Sequence, residues 1–386
     1  MLFFGANVIA NYWLQIPDAE MTLVALSPAI FFVAISSVMR GYFNGRQNIK
    51  ATARSQTIEQ VFKTALTIIL VEIIAVISNV STEWMAGGAT LATTLATMSG
   101  FGYLYLYYKT RSKEIAVEIK STVNYKYERV RTIIRRILVV SIPIALTAIM
   151  SSLNKNIDSF TVVRSLKQFM PEDMALSQYG ILGGKVDTLT SLPLSINVAF
   201  STALVPAISA AKARKDKKTI TEKTSFSLLT SMLIGLPCTI GMCIFAGPIL
   251  NLLFPKASDG TVILQISSLT ILFTILDQTI NGALQGYGKL KIPTISLGIG
   301  VLVKLILNLI LVPIPEIGVN GAAWASVACH AVAFTIAITA LRKNIKLNLT
   351  FSKFVIKPVL ATAIMGICSY FIYLSLLGII SNKLAT

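Results

Sequence analysis

Nine ionisable side chains lie inside or at the edge of long apolar runs: Glu59, Lys63, Glu72, Lys155, Asp158, Lys185, Asp187, Asp277 and Lys304. A charge at mid-helix in a bilayer costs roughly 2.5–3.5 kcal/mol on insertion scales, so each must be paired, solvated in a cavity or used. Glu59 and Lys63 are four apart with Glu first, the favourable helical order, and the spacing predicts an ion pair. Lys155 and Asp158, three apart, predict a second. Lys304 is different, because Gly300, Val301, Leu307 and Asn308 occupy the positions three and four away and none is acidic. It shares a helix face with Asn308. Lys304 follows Lys291 by 13 residues, roughly 20 Å along a helix at 1.5 Å per residue, and Lys63 follows Lys50 by the same interval. Lys304 either lines a cavity as a free cation or meets an acid on another helix. The expectation is a cavity, with Lys63 at equal depth and Lys185 adding to it beside the polar Asp187 and Thr188. Such a cationic cleft binds an anion. Arg40, at the end of its run, is expected to snorkel to the headgroups.

Other chemistry has little to work with. The four cysteines, Cys238, Cys243, Cys329 and Cys368, fall in apolar stretches without metal or disulfide spacing, and read as small core residues. His330 is the sole histidine, which argues against a His-based metal site or catalytic triad.

The positioning elements are membrane helices. The chain has 386 residues, 54% of them hydrophobic and only 13% charged, against roughly 25% charged in a soluble domain. Nothing alternates with a period of two over many strands, so a β-barrel is disfavoured. Ten complete apolar spans follow a partial one at 1–16. They cover about 21–42, 52–78, 85–108, 133–154, 178–210, 224–251, 261–284, 292–313, 319–341 and 354–380. Alternate loops are basic: Arg46 to Arg54, Lys109 to Arg136, Lys212 to Lys223, Lys289 and Lys291, and Arg342 to Lys357. The intervening loops carry Asp18, Glu20, Glu83, Glu172, Asp173, Asp259 and Glu316 and are poor in Lys and Arg. The basic set is therefore cytoplasmic. The net charge of +17 follows from that bias and does not call for nucleic acid. Tyr103, Tyr105, Tyr107 and Tyr108 end a span just before Lys109, where interfacial rings belong. Pro143, Pro193, Pro237, Pro293 and Pro358 lie within or near spans, where proline bends a helix.

An internal repeat orders these spans. The segment starting Arg40-Gly41-Tyr42-Phe43-Asn44-Gly45 reappears 241 residues later as Asn281-Gly282-Ala283-Leu284-Gln285-Gly286, with ten of 32 aligned positions identical. Gly41 meets Gly282, Gly45 meets Gly286, Lys50 meets Lys291 and Lys63 meets Lys304. Asn11 falls near Asn251 and, after a short gap, Gly88-Ala89 falls on Gly321-Ala322. Six spans separate the copies, so both face the same way, about an axis along the membrane normal. Two bundles so related would aim the two lysines at the space between them. The second unit has six spans and the first only its last three and a part, so the chain is expected to start inside a third helix. The apolar start lacks a basic n-region and does not read as a signal peptide.

Three blocks carry a family resemblance. The first is the Arg40–Gly45 motif, continuing through Lys50-Ala51-Thr52-Ala53, Ser55-Gln56 and Glu59-Gln60. The second runs from Tyr179-Gly180 through Leu192-Pro193 to Leu204-Val205-Pro206-Ala207-Ile208-Ser209. The third is Gln285-Gly286, Gly288-Lys289, Pro293, Asn308 and Gly321-Ala322-Ala323. Together they resemble the polysaccharide-export branch of the multidrug/oligosaccharidyl-lipid/polysaccharide flippase superfamily, with the strongest likeness to its stage V sporulation protein B group, related to lipid II flippases. The resemblance implies an all-α polytopic membrane protein of two six-helix bundles related by a parallel pseudo-two-fold, plus a C-terminal pair. On that scheme 1–108 is a partial N-terminal bundle, 109–132 a basic cytoplasmic linker, 133–341 the C-terminal bundle and 354–380 an extra helix. The function implied is a flippase for a lipid-linked saccharide, working by alternating access in the cytoplasmic membrane. The expected partners are a lipid-linked anionic saccharide and membrane lipids, with no nucleic acid, as a monomer. No cofactor is implied, and the coupling ion, sodium or proton, stays open. Cavity candidates are Lys63, Lys304, Lys185, Asn308, Glu59, Asp187, Lys155 and Asp158. Arg40, Gly41, Gly45, Gly282, Gly286, Pro193 and Pro206 are motif or structural positions. A cation-coupled multidrug exporter of the same superfamily is the alternative. An enzyme of lipid-linked sugar polymerisation is disfavoured by the short outer loops.

Overall fold

Apolar side chains recurring through runs of 20 or more residues leave the backbone one way to satisfy its polar groups in lipid, the helix. The computed structural model describes residues 2–10, 19–46, 48–76, 82–121, 128–255, 257–347, 350 and 352–384, and no strand occurs among them. Asn11 and Asp18, used above, lie outside these residues. Eight helical stretches among the described residues are long and apolar enough to cross a membrane.

The first unit, Met1–Tyr127, holds α1 (Leu2–Val8), α2 (Ala19–Gly45), α3 (Ile49–Val76) and α4 (Thr82–Ser121). Helix α4 packs along both α2 and α3, while α2 and α3 touch each other little. Residues 109–121, expected as linker, continue α4 as helix. Its small residues let neighbours come close: a Cβ on Gly100 would stand 3.1 Å from Glu59 Oε2 and 3.5 Å from Arg40 Nη2.

The second unit, Glu128–Thr386, begins with α5 (Val130–Leu166). Twelve residues past its expected end this helix is still intact. Within the polar run from Asn154 to Asp158, at the expected end of the span, Asn154 and Asp158 find partners on other helices, and the run does not break the helix. Next come α6 (Glu172–Gly180), a π-helical turn at Ile181–Val186 and α7 (Asp187–Ala213), in one rod. Then follow α8 (Lys217–Ile244), α9 (Ala246–Leu253), α10 (Thr261–Gly286), α11 (Lys291–Leu311), α12 (Val319–Asn344) and α13 (Lys357–Leu384). The Asp216 carboxylate caps α8: Oδ2 accepts from Thr219 Oγ1 at 2.6 Å and Oδ1 from Thr219 N at 3.0 Å. These bonds hold its pKa below the usual carboxylate range. Helices α10, α11 and α12 repeat the first unit's arrangement, with α12 packed along both α10 and α11 and little contact between the latter two. Around this triplet α7 and α8 pack on α10, α5 packs on α11, and α13 packs on α8.

Two apolar clusters occupy opposite ends of this bundle. Leu182, Val186, Leu250, Leu264 and Ala322 belong to one, and Ile208, Leu228, Ile280, Leu284 and Leu341 to the other. Between them lies a polar belt. Asn197 of α7 is fully buried; its Nδ2 donates to Ile275 O at 2.9 Å and its Oδ1 accepts from Ser231 Oγ at 2.8 Å. Ser231 and Thr279 hydroxyls meet at 2.6 Å. Buried amides and hydroxyls of this kind link helices where the apolar solvent offers no drive to associate.

Candidate functional site

A buried charged site lies among α5, α11 and α12. Lys304 is 3% exposed, and its Nζ donates to Asp158 Oδ2 at 2.6 Å and to Asn154 O at 2.8 Å. Asn308, one turn on, donates from Nδ2 to Asp158 Oδ1 at 2.9 Å and to Thr161 Oγ1 at 2.9 Å. The Asp158 carboxylate thus has both oxygens engaged by α11, and helical spacing explains why: 304 and 308 on one helix face 154, 158 and 161 on the other. From α12, the Cys329 thiol donates to Asn154 Oδ1 at 3.5 Å, and His330 Nε2 lies 3.4 Å from Asn154 Nδ2. The Asn308 Oδ1 and His330 Nδ1 atoms are buried without a partner.

This geometry corrects two expectations. Lys304 does not line a cavity as a free cation; it is buried against an acid on a neighbouring helix. Asp158 is taken by Lys304 and not by Lys155, which is exposed. Sequence spacing along one helix cannot find a partner supplied by another. The signal that was available is the Lys304/Asn308 face itself, which matches Asn154, Asp158 and Thr161 in period.

The first unit carries its own half-buried pair. Arg40 Nη2 meets Glu59 Oε2 at 2.5 Å, with both side chains 18% exposed. Ser55 Oγ accepts from Arg40 Nε at 3.2 Å and Nη2 at 3.1 Å. Arg40 therefore does not snorkel, and Glu59 pairs across helices instead of with Lys63, which is exposed. The lysines matched by the repeat have different surroundings, Lys304 buried and Lys63 open.

The remaining candidates scatter. Lys185, at the π-helical turn, donates to Ala257 O at 2.5 Å and stands 5.5 Å over the Phe254 ring, so its charge is spent on the α9–α10 loop. Asp187 is exposed by surface area, yet lies within electrostatic reach of Asp158, Lys304 and Lys155. Pro193 and Pro206 lie inside α7. A Cβ on Gly282 or Gly286 would come within 2.6 Å of Ser201 O or 2.7 Å of Val205 O, so these glycines set the close α7–α10 approach. Among the described residues, nothing stands within 4 Å of a Cβ on Gly41 or Gly45. Of the cysteines, Cys329 is buried as expected, but Cys368 is exposed. Asp277, buried in α10, accepts from Asn281 Nδ2 at 2.9 Å through Oδ2, and its Oδ1 has no partner. Asn154, Thr161 and Asn197 escaped the sequence reading, because neutral polar residues in a span carry little signal of their own.

A model of a family described as "Lipid II flippase MurJ" matches residues 26–378. The chain is 25% identical over 371 residues to stage V sporulation protein B of Bacillus subtilis (strain 168), covering 96% of this chain and 70% of that protein. It is 25% identical over 315 residues to the lipid II flippase MurJ of the same organism, covering 79% of this chain and 57% of the relative. Among solved structures it superposes on lipid II flippase MurJ in an inward closed conformation with a TM-score of 0.61 at 18% identity, covering 92% of this chain and 68% of that one. An inward-facing MATE family multidrug resistance transporter of the MOP superfamily gives 0.63 at 16% identity, covering 89% and 77%. At such identities the structural likeness speaks to the fold alone. The family model spans most of the sequence, and the chain belongs to the MurJ lipid II flippase family.

Proposed function

We propose that this chain moves a lipid-linked anionic saccharide, a precursor of peptidoglycan or of another polysaccharide, across the cytoplasmic membrane by alternating access. The observation that carries this reading is the duplicated triplet. Helices α2–α4 and α10–α12 share a motif and a packing pattern, and each unit contains a charged pair that joins two helices, half-buried in the first and buried in the second. Parallel repeats of this kind are the scaffold on which transporters rock between two faces. A charged pair between helices stiffens each unit so that it moves as a body, which makes Lys304 and Arg40 clamps in place of cargo ligands. The exposed Lys63 and Lys155 remain available to an anionic headgroup. The chain acts as a transporter and not as an enzyme, alone, without a cofactor and without nucleic acid.

The test is reconstitution of the chain in vesicles carrying a fluorescent lipid-linked saccharide diphosphate. Protein-dependent exposure of inner-leaflet probe to an external quencher is the expected result. Efflux of a cationic dye with no movement of the lipid would instead establish a multidrug exporter.

A further inference from the structure

A groove of about 790 Å³ lies at the cytoplasmic end of α5, where it meets the start of α11. Arg131 and Arg135 line it on successive turns, and Leu138 and Ile142 continue the same helix face at steps of three and four. Lys291, the first residue of α11, adds a third cation from the opposite wall, and Pro143 closes the apolar end. No carboxylate is among the described residues that line it. The nearby Glu128 is engaged by Arg136, whose Nη1 donates to it at 2.7 Å. Hydroxyl bonds tie the two helices at the closed end: Thr294 Oγ1 donates to Pro143 O at 3.0 Å and meets Thr147 Oγ1 at 2.7 Å.

The arrangement has a cost with nothing bound. Two arginines four apart on one helix face repel each other, and a third cation faces them. A positive-inside bias needs basic residues in this loop, but does not need three of them around one apolar trough. The groove is the complement of an amphiphile with a phosphate head and an aliphatic tail. Arginine forks match phosphate oxygens bidentately, and aliphatic side chains flank the first methylenes. Resting on the flippase reading above, we propose that this groove receives the diphosphate of the lipid-linked cargo from the cytoplasmic leaflet, with Arg131, Arg135 and Lys291 as its ligands.

The experiment uses the full chain in phosphatidylcholine nanodiscs, titrated with a fluorescent polyprenyl diphosphate. Arg131→Gln with Arg135→Gln is expected to weaken binding at least about tenfold, equivalent to about 1.4 kcal/mol, at an unchanged unfolding temperature. Restoring charge with Arg131→Lys and Arg135→Lys is expected to recover part of it. Excess phosphatidylglycerol is expected not to displace the probe. Equal affinity of the wild type and the Gln variant overturns the proposal, as does displacement by phosphatidylglycerol, which would make the groove a site for bulk anionic lipid. The flippase reading is scored apart from it. Wild-type flipping that the Gln variant retains, with unaltered binding, sinks the groove alone, and probe binding at these residues without flipping sinks the transport reading alone.

Discussion

Lys304 carries a charged group into a helix bundle and is held there by one carboxylate oxygen and one backbone carbonyl. Removing either charge strands the other. Lys304→Ala or Asp158→Ala alone is expected to destabilise the protein by about 3–5 kcal/mol, whereas Lys304→Met with Asp158→Leu is expected to fall much closer to wild type. Thermal unfolding in detergent across this double-mutant cycle measures both. Additive losses would show that the pair is not coupled. Asp277 is the contrasting case. Its carboxylate is 7% exposed, with one oxygen unpartnered and an amide as its neighbour in place of a cation. Asp277→Asn breaks no ion pair, and the same melt is expected to show an unfolding temperature equal to or above that of the wild type. A drop comparable to that of Asp158→Ala would mean that the charge of Asp277 is itself compensated.

At the scale of elements, one motif has two uses. Gly282 and Gly286 let α10 approach the backbone of α7, whereas Gly41 and Gly45 of α2 have open space where a Cβ would stand. Gly282→Ala must push aside a carbonyl and is expected to cost about 1–3 kcal/mol. Gly41→Ala adds a better helix former at no steric cost and is expected to gain about 0.5–1 kcal/mol. Circular dichroism melts of the two variants should move in opposite directions, and parallel shifts would refute the packing difference. The repeat was visible in these glycines, but what packs on them was not. Helix ends show the same division. The start of α8 is written in Asp216 and Thr219, a local hydrogen-bonded cap. The end of α5 lies at 166, twelve residues beyond the expected 154, because the partners that keep Asn154 and Asp158 inside the helix come from α11 and α12.

For the whole molecule, composition and loop charge describe a multi-pass protein of the cytoplasmic membrane, and the family match agrees. The alternation of basic and acidic loops makes a direct prediction. Of single cysteines placed in a cysteine-free background, Lys215→Cys is expected to react with a membrane-impermeant maleimide only after the cells are opened. Asp259→Cys is expected to react in intact cells. Labelling of both from the same side would overturn the span order. The all-helical, multi-pass character and the duplicated motif were readable from the residues alone, while eight helical stretches among the described residues, against the ten complete spans expected, are long and apolar enough to cross a membrane. Hydrophobic length and positive-inside bias are one-dimensional quantities, and a repeat is an alignment of the chain with itself. The roles of the charges were decided only in three dimensions. Glu59 chose Arg40 over Lys63 and Asp158 chose Lys304 over Lys155. In a low-dielectric interior the winning partner is the one whose hydrogen bonds close within about 3 Å, and that distance is set by helix packing and not by separation along the chain.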